Sequence, residues 1–361
     1  MQTILKSNLT AVLGVVCAFG LTSCRSKPPD TQIRRFEFKQ PHMGTLFSIT
    51  LYARDEALAR TASDAASAKI AALERMMTDY DPESELMQLG RRPVGEPTRV
   101  SEDLFDVLEK SQRVAELSDG AFDVTIGPVV RLWRRARRTG VLPPLEALAQ
   151  ARAAVGWRKL QLDPRNKTVV LSEPNMQLDL GGIAKGYAAD RALGVLKQHG
   201  ITRALVAASG DIAVGDPPPG QRGWRIGIGA PGSDSARSDP ALPHAGSETG
   251  VPIARTLLLK NAAVSTSGDT EQYVEIDGKR YSHIVDPRTG VGLTERLQVS
   301  VIARRATDTD SLATAVSVLG VERGLAFVES QPGVAALVLH QMGGRVRAFE
   351  SSRLPRVRRV R

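Results

Sequence analysis

Three stretches of the sequence hold side chains whose types and spacing could do chemistry. In "LDLGGIAKGYAADRA" (178–192), Asp179 precedes the Gly181-Gly182 pair and Lys185 follows it closely. The pattern predicts a strand ending at Leu180, a glycine turn, and a helix from about Ile183. Glycines there let backbone approach a ligand closely, and the first N–H groups of a helix attract an anion. Lys185 would add positive charge in the first turn. The plainer alternative is a strand-to-helix turn with a solvated lysine. In "ATDTDSLATAVSVLG", Asp310 and Thr314 are four apart, so on a helix their oxygens face the same way. A carboxylate plus a hydroxyl suits magnesium, which keeps few protein ligands and fills its shell with phosphate and water. The alternative is an acid complementing the helix dipole, with Thr314 merely packed. In "QYVEIDGKRYSHIVDPRTG", His283 ends a strand before a turn. A histidine there can be a general base, a phosphate contact or a structural hydrogen-bonder, and on its own this one reads as structural.

Two commoner nucleotide signatures do not apply. "GIGAPG" (227–232) matches G-x-G-x-x-G, but Pro231 and a polar loop follow where the fingerprint needs a helix. No G-x-x-x-x-G-K-[ST] run occurs.

The elements that must position these residues alternate irregularly. A hairpin is expected over 36–53, broken at Gly44, then a helix over 55–80 and a second over 101–120, capped by Ser101 and stopped by Gly120. Strands are expected at 159–163 and 167–172 around a "DPRNK" turn, with "MQLDL" as a third. After the helix from Ile183, strands follow at 201–215 and 224–231. A polar loop is read over 231–250. Further strands lie at 256–268, at 272–285 about an Asp277-Gly278 hairpin turn, and at 297–304. A helix "DSLATAVSVLG" and a closing hairpin end the pattern. Without regular βαβ alternation or an internal repeat, this is an α+β fold with mixed, largely antiparallel sheets packed with helices.

The ends bear on localisation. After Lys6, an apolar run from about Ala11 to Leu21 is short for a membrane span and long enough for a secretory segment. It ends in "LTSC", which resembles a bacterial lipobox, so Cys24 is expected to be the acylated N-terminus after removal of 1–23. An ordinary signal peptide with an incidental cysteine is the alternative. Residues 24–36 read as a tether, 37–350 as the body and 351–361 as a basic tail. Cys17 and Cys24 are the only cysteines, which excludes a disulfide framework or a cysteine metal cluster. No second apolar segment of spanning length is expected. The net charge of +9 concentrates at 131–140 and 353–361. Aromatic interleaving is missing there apart from Trp133, so no nucleic-acid partner is expected; anionic lipid headgroups or plain solvation account for the charge.

Taken in order behind the lipobox, "HMGT", "DYDPESEL", "SDGAFDVTIGPVV", "LDLGGIAKGYAAD", "ASGDI", "STSGD", "YSHIVDPRTG" and "TDSLATAVSVLG" closely resemble the FAD:protein FMN transferases, the ApbE-like flavin transferases, over about 38–338. The resemblance implies FAD bound in a cleft between two lobes. It further implies Mg2+-assisted transfer of FMN to a threonine hydroxyl of an acceptor protein, a membrane redox subunit, with AMP released. Flavin contacts would be Met43, Tyr80, Ala121, Phe122, Asp123, Asp179, Lys185, His283 and Ile284. Magnesium would be held by Asp310, Thr314 and the Gly182 carbonyl. Asp310 and Lys185 would stabilise charge, with His283 as general base. The protein would be exported and anchored by lipid to a bacterial membrane, facing the periplasm. This chain departs from the family in "SELMQLG" for "SELSRLN", in "AASGD" for "NLGGD", and in the loop at 231–250. An FAD-binding lipoprotein, or a Mg2+-dependent pyrophosphatase giving FMN and AMP, is the competing expectation.

Overall fold

A computed structural model describes residues 33–229, 253–268, 272–342 and 345–354. Residues 1–32 with Cys24, and the expected loop at 231–250, lie outside the described residues. The chain opens with the hairpin β1 (Arg34–His42) and β2 (Thr45–Ala53), closed by Met43 and Gly44 at φ 50° and 70°. β1 begins inside the stretch expected as a tether, because Arg34 and Arg35 still find partners in Ala53 and Tyr52. Asp55 caps α1 (Glu56–Met77) by accepting from the Leu58 N–H at 2.8 Å. Short α2 (Glu85–Leu89) and β3 (Thr98–Arg99) precede α3 (Glu102–Leu117), capped by Ser101 as expected.

The next two helices were not read from the sequence: α4 (Gly127–Thr139), taken there as a basic cluster, and α5 (Leu145–Ala153). The signals for α4 were present, proline in its first turn and Gly140 closing it at φ 69°. β4 (Leu160–Asp163) and β5 (Thr168–Leu171) pair as expected, and β3 completes their sheet. The expected strand "MQLDL" is not one. It makes a lone bridge, Gln177 to Ile126, and the Asp179 N–H donates to the Val124 carbonyl. Buried Leu178 and Leu180 pull it through the interior, where no strand lies alongside to form a ladder.

The remainder follows the expected order: α6 (Ala184–Gln198), β6 (Ala204–Ala208), β7 (Asp211–Val214), β8 (Trp224–Gly229), β9 (Ile253–Leu259), β10 (Ala262–Gly268), β11 (Tyr273–Ile276), β12 (Lys279–Ser282), β13 (Val285–Asp286), β14 (Val291–Gly292), β15 (Leu297–Ala303), α7 (Ala306–Ser330), β16 (Ala335–Met342) and β17 (Arg345–Glu350), apart from the unforeseen short pair β13–β14. α7 is broken at Gly320, where the sequence placed its end. By length and composition α7 could cross a membrane, against the expectation that no second segment would. Half of its apolar window is nevertheless buried inside the fold, which makes it a core helix. Past β17, Ser351–Leu354 belong to the body rather than to a free tail. The Ala336 N–H donates to Ser351 Oγ, Leu354 is buried, and Arg353 donates to the Val328 carbonyl in the last turn of α7 and to the Val334 carbonyl beyond it.

Eight strands form one antiparallel sheet in the order β1-β2-β6-β7-β10-β15-β16-β17. Its central strands β6 and β15 are buried at every position because both faces are covered, and β6 reads as an unbroken apolar run. Val206 and Ala208 of β6 face α1, α6 and α7, while Leu205 and Ala207 face the β8–β9 hairpin with Trp224. A second, smaller core lies apart from these. Trp133 and Ala136 of α4 pack with Val274, Ile276 and Tyr281 of the β11–β12 hairpin, and Trp133 Nε1 donates to the Gly290 carbonyl at 2.8 Å. The fold is thus the mixed, largely antiparallel α+β arrangement expected, with the helix-side core of the sheet and this smaller core bordering one cleft.

Candidate functional site

The cleft has a volume of about 690 Å³. The sheet side supplies Met43, Asp179, Gly182, Lys185, Asp310 and Thr314; the smaller core's side supplies His283 and Ile284, with Tyr80, Ala121, Phe122 and Asp123 completing the wall. Every site residue named from the sequence lines it except Cys24, which lies outside the described residues.

Its centre is a buried charge cluster. Lys185, in the first turn of α6, donates to Asp211 and lies 4.0 Å from Asp310 Oδ1. Asp310 Oδ2 accepts the Gly186 N–H at 2.9 Å. Burial first, and the Asp211 charge second, push the Asp310 carboxyl up to about 7, with Lys185 and the Gly186 N–H opposing. Burial opposes the Lys185 ammonium, but the two carboxylates outweigh it and hold its pKa above the usual value. Two carboxylates share one lysine, so the cluster is short of positive charge.

Glycines set this geometry. A Cβ on Gly186 would stand 2.1 Å from the Ala306 carbonyl oxygen, so α6 and α7 touch backbone to backbone there. A Cβ on Gly182 would stand 3.0 Å from Thr314 Oγ1, which places the Gly-Gly turn against Thr314. Asp190 then fixes the second helix. Its carboxylate accepts the Ala306 and Thr307 N–H groups, each at 2.9 Å, and the Thr307 hydroxyl at 2.6 Å. Asp310 and Thr314 thereby line the same cleft wall, with Thr314 against Gly182. No group of three or more His, Cys, Asp or Glu suited to a metal occurs among the described residues. A small hard cation fits the oxygen set nonetheless. Asp310 Oδ1 has the Lys185 ammonium too distant for a hydrogen bond, Thr314 adds a hydroxyl, and the two carboxylates outnumber the one ammonium.

Other walls are held by local bonds. Asp179 Oδ1 accepts the Gly181 N–H at 2.8 Å, shaping the turn, while Oδ2 accepts from Arg134 Nη2 at 2.8 Å. Arg134 also pairs with Asp79, and its guanidinium lies over the Tyr80 ring, 4.7 Å from the centroid. Tyr80 is 77% exposed and so offers a ring edge and face at the mouth. Asp123 Oδ1 accepts the Thr125 N–H and hydroxyl, and burial raises its pKa; its carboxylate builds the loop. The Met43 N–H donates to Glu74 Oε1 at 2.7 Å, pinning the β1–β2 turn on α1.

His283 Nδ1 lies 3.1 Å from the Gln272 carbonyl oxygen. A carbonyl only accepts, so Nδ1 carries the hydrogen and Nε2 keeps a lone pair. Burial pushes the imidazole down to about 4, the Arg137 and Lys185 charges adding to this and the Gln272 carbonyl opposing it. At neutral pH it is an uncharged acceptor.

Sequence reasoning gave no role to Asp211, Glu74, Arg134 or Arg137, all lining the cleft. Asp211 stood inside "ASGDI", directly after a turn. The arginines were legible as a helix face only once α4 had been recognised.

The sequence matches the ApbE family profile over residues 43–338. The FAD:protein FMN transferase of Treponema pallidum is 32% identical over 341 residues, covering 90% of this chain and 89% of its own length. A Klebsiella pneumoniae protein of that name is 31% identical over 306 residues, covering 84% and 89%. Among solved structures, the flavin transferase ApbE from Vibrio cholerae matches with a TM-score of 0.76 at 28% identity, over 89% of this chain and 98% of that one. The ApbE protein of Thermotoga maritima gives 0.75 at 29%, over 88% and 97%.

Proposed function

This chain belongs to the ApbE family and is an enzyme, a FAD:protein FMN transferase; from that premise and its cleft we propose that it requires Mg2+, uses a threonine hydroxyl of a partner protein as acceptor, and releases AMP. The observation that carries this reading is the Asp211–Lys185–Asp310 cluster beside Thr314 and Gly182. It sets two carboxylates and a hydroxyl against a single ammonium, on the wall of a cleft of a size suited to a large ligand.

In the reaction, the threonine oxygen bonds to the FMN-side phosphorus and the bond from that phosphorus to the oxygen bridging to AMP breaks. Asp310, Thr314 and the Gly182 carbonyl would hold the metal. Mg2+ bound there would neutralise pyrophosphate oxygens and ease departure of AMP. Lys185, fixed by Asp211, keeps a positive charge at the same wall as negative charge builds. His283 Nε2 is free to take the threonine proton. Its low pKa makes it a weak base before substrate arrives, and an adjacent pyrophosphate raises it toward the working pH. Met43, Tyr80, Asp179, Ile284 and the 121–123 loop would orient the flavin. We further propose that Cys24 is the lipid-bearing residue, placing the enzyme at a membrane surface with a redox subunit as acceptor; the apolar run before "LTSC" supports this.

The test is incubation with FAD, Mg2+ and a threonine-bearing acceptor domain, read by mass spectrometry. An FMN adduct on threonine that disappears in Asp310→Ala is the expected result. AMP and free FMN with no adduct would instead establish hydrolysis.

A further inference from the structure

Helix α4 brings two arginines to the cleft wall. Buried Trp133, tied to the Gly290 carbonyl, and buried Ala136 fix the rotation of the helix. Arg134 and Arg137, three residues apart, therefore share the side that lines the cavity. Three permanent cations line this cleft among the described residues, and two are already neutralised. Lys185 sits with Asp211 and Asp310, and Arg134 sits between Asp79 and Asp179. Arg137 has no carboxylate partner among the described residues; its Nη1 reaches only the Gln272 side-chain oxygen, at 3.3 Å. Partial burial, with Arg134 nearby, holds its pKa below the usual value, so its charge is poorly compensated. Gln272 also carries the carbonyl that bonds His283, which brings the guanidinium and the imidazole to one neighbourhood.

We propose that Arg137 is a binding residue for the pyrophosphate of the flavin dinucleotide, gripping its phosphate oxygens beside His283. This rests on the reading of the cleft as a FAD site. A guanidinium presents a planar fork of donors that matches phosphate oxygens and stays charged at any working pH. Pyrophosphate supplies the anion that the described residues do not place there. The 131–140 cluster thus divides by helix face: Arg134 and Arg137 serve the cleft, while Arg131, Arg135 and Arg138 are exposed to solvent.

The experiment compares full-length wild type, Arg137→Gln and Arg137→Lys by flavin fluorescence titration with FAD and with riboflavin, which has no phosphate. Arg137→Gln should weaken FAD by about ten- to a hundredfold, the range expected for lost hydrogen bonds to a charged group, and leave riboflavin within about twofold. Arg137→Lys should recover part of the FAD affinity, keeping charge without the fork. Unchanged FAD affinity in Arg137→Gln would overturn the proposal, as would an equal loss for riboflavin, which would mark a structural role. The readout is separate from transfer. If no acceptor ever gains FMN but FAD binding depends on Arg137 as stated, the transferase mechanism falls and Arg137 stands. If transfer proceeds and FAD affinity is untouched in Arg137→Gln, the reverse holds.

Discussion

Replacing Asp310 by asparagine keeps the side-chain shape and removes one of the two buried carboxylates that share Lys185. The carboxyl is pushed from 3.8 to about 7, chiefly by burial and then by Asp211. At about 1.36 kcal/mol per pH unit, that difference sets a ceiling of about 4 kcal/mol on its pH-linked contribution. The sign follows from the direction. A folded pKa above the unfolded one means that the native state favours the protonated form. The associated stability is fully present below about pH 3.8 and is lost as pH rises through about 7. At pH 8 the metal-free wild type therefore carries an ionised, under-compensated carboxylate that Asp310→Asn does not. The variant forfeits some attraction to Lys185, so a net gain of about 1–3 kcal/mol is expected at pH 8, a few degrees in Tm. Near pH 4 the two proteins should melt together. Mg2+ should raise the Tm of the wild type at pH 8 and leave Asp310→Asn unmoved, while the variant loses transfer. Thermal unfolding in chelator and in Mg2+, at both pH values, measures all of this. An Asp310→Asn protein less stable than wild type in chelator at pH 8, or one stabilised equally by Mg2+, would refute the reasoning.

Removing the imidazole in His283→Ala should slow transfer at saturating FAD by about 10²–10⁴-fold, measured by rapid-quench mass spectrometry. Because a base works when neutral and His283 sits near 4 in the free enzyme, kcat/KM at saturating Mg2+ should hold from pH 8 to pH 6 and fall only toward pH 4. Gly186→Ala must push α6 from α7 at the 2.1 Å contact with the Ala306 carbonyl, costing about 3 kcal/mol by denaturant unfolding. Gly182→Ala meets Thr314 Oγ1 at only 3.0 Å, so Mg2+-dependent activity should drop further than stability. Arg134→Ala leaves the largely covered Asp179 carboxylate with only the Gly181 N–H and should destabilise the fold by about 1–3 kcal/mol, visible as a lower Tm.

Much of this was legible along the chain because its signals are local. The Asp277-Gly278 turn, the Ser101 cap and the Asp55 cap of α1 are decided by neighbours a few residues away, and the structure follows them. So is the helical spacing that sets Asp310 and Thr314 on one face. The errors arose where tertiary packing outweighed local pattern. "MQLDL" has the residues of a strand, but the interior gives it no ladder partner. The arginines of 131–140 look like a solvated cluster until Trp133 fixes how α4 turns. By itself, the sequence determined most of the elements in order, though not α4 and α5, the residue types of the site and, through eight collinear motifs, the family. Only the tertiary structure decided which charges meet. Lys185 lies 26 residues from Asp211 and 125 from Asp310, and they converge because glycine at 186 lets two helices touch. Charge balance depends on distances through space, and those exist only once the sheet and its helices have packed.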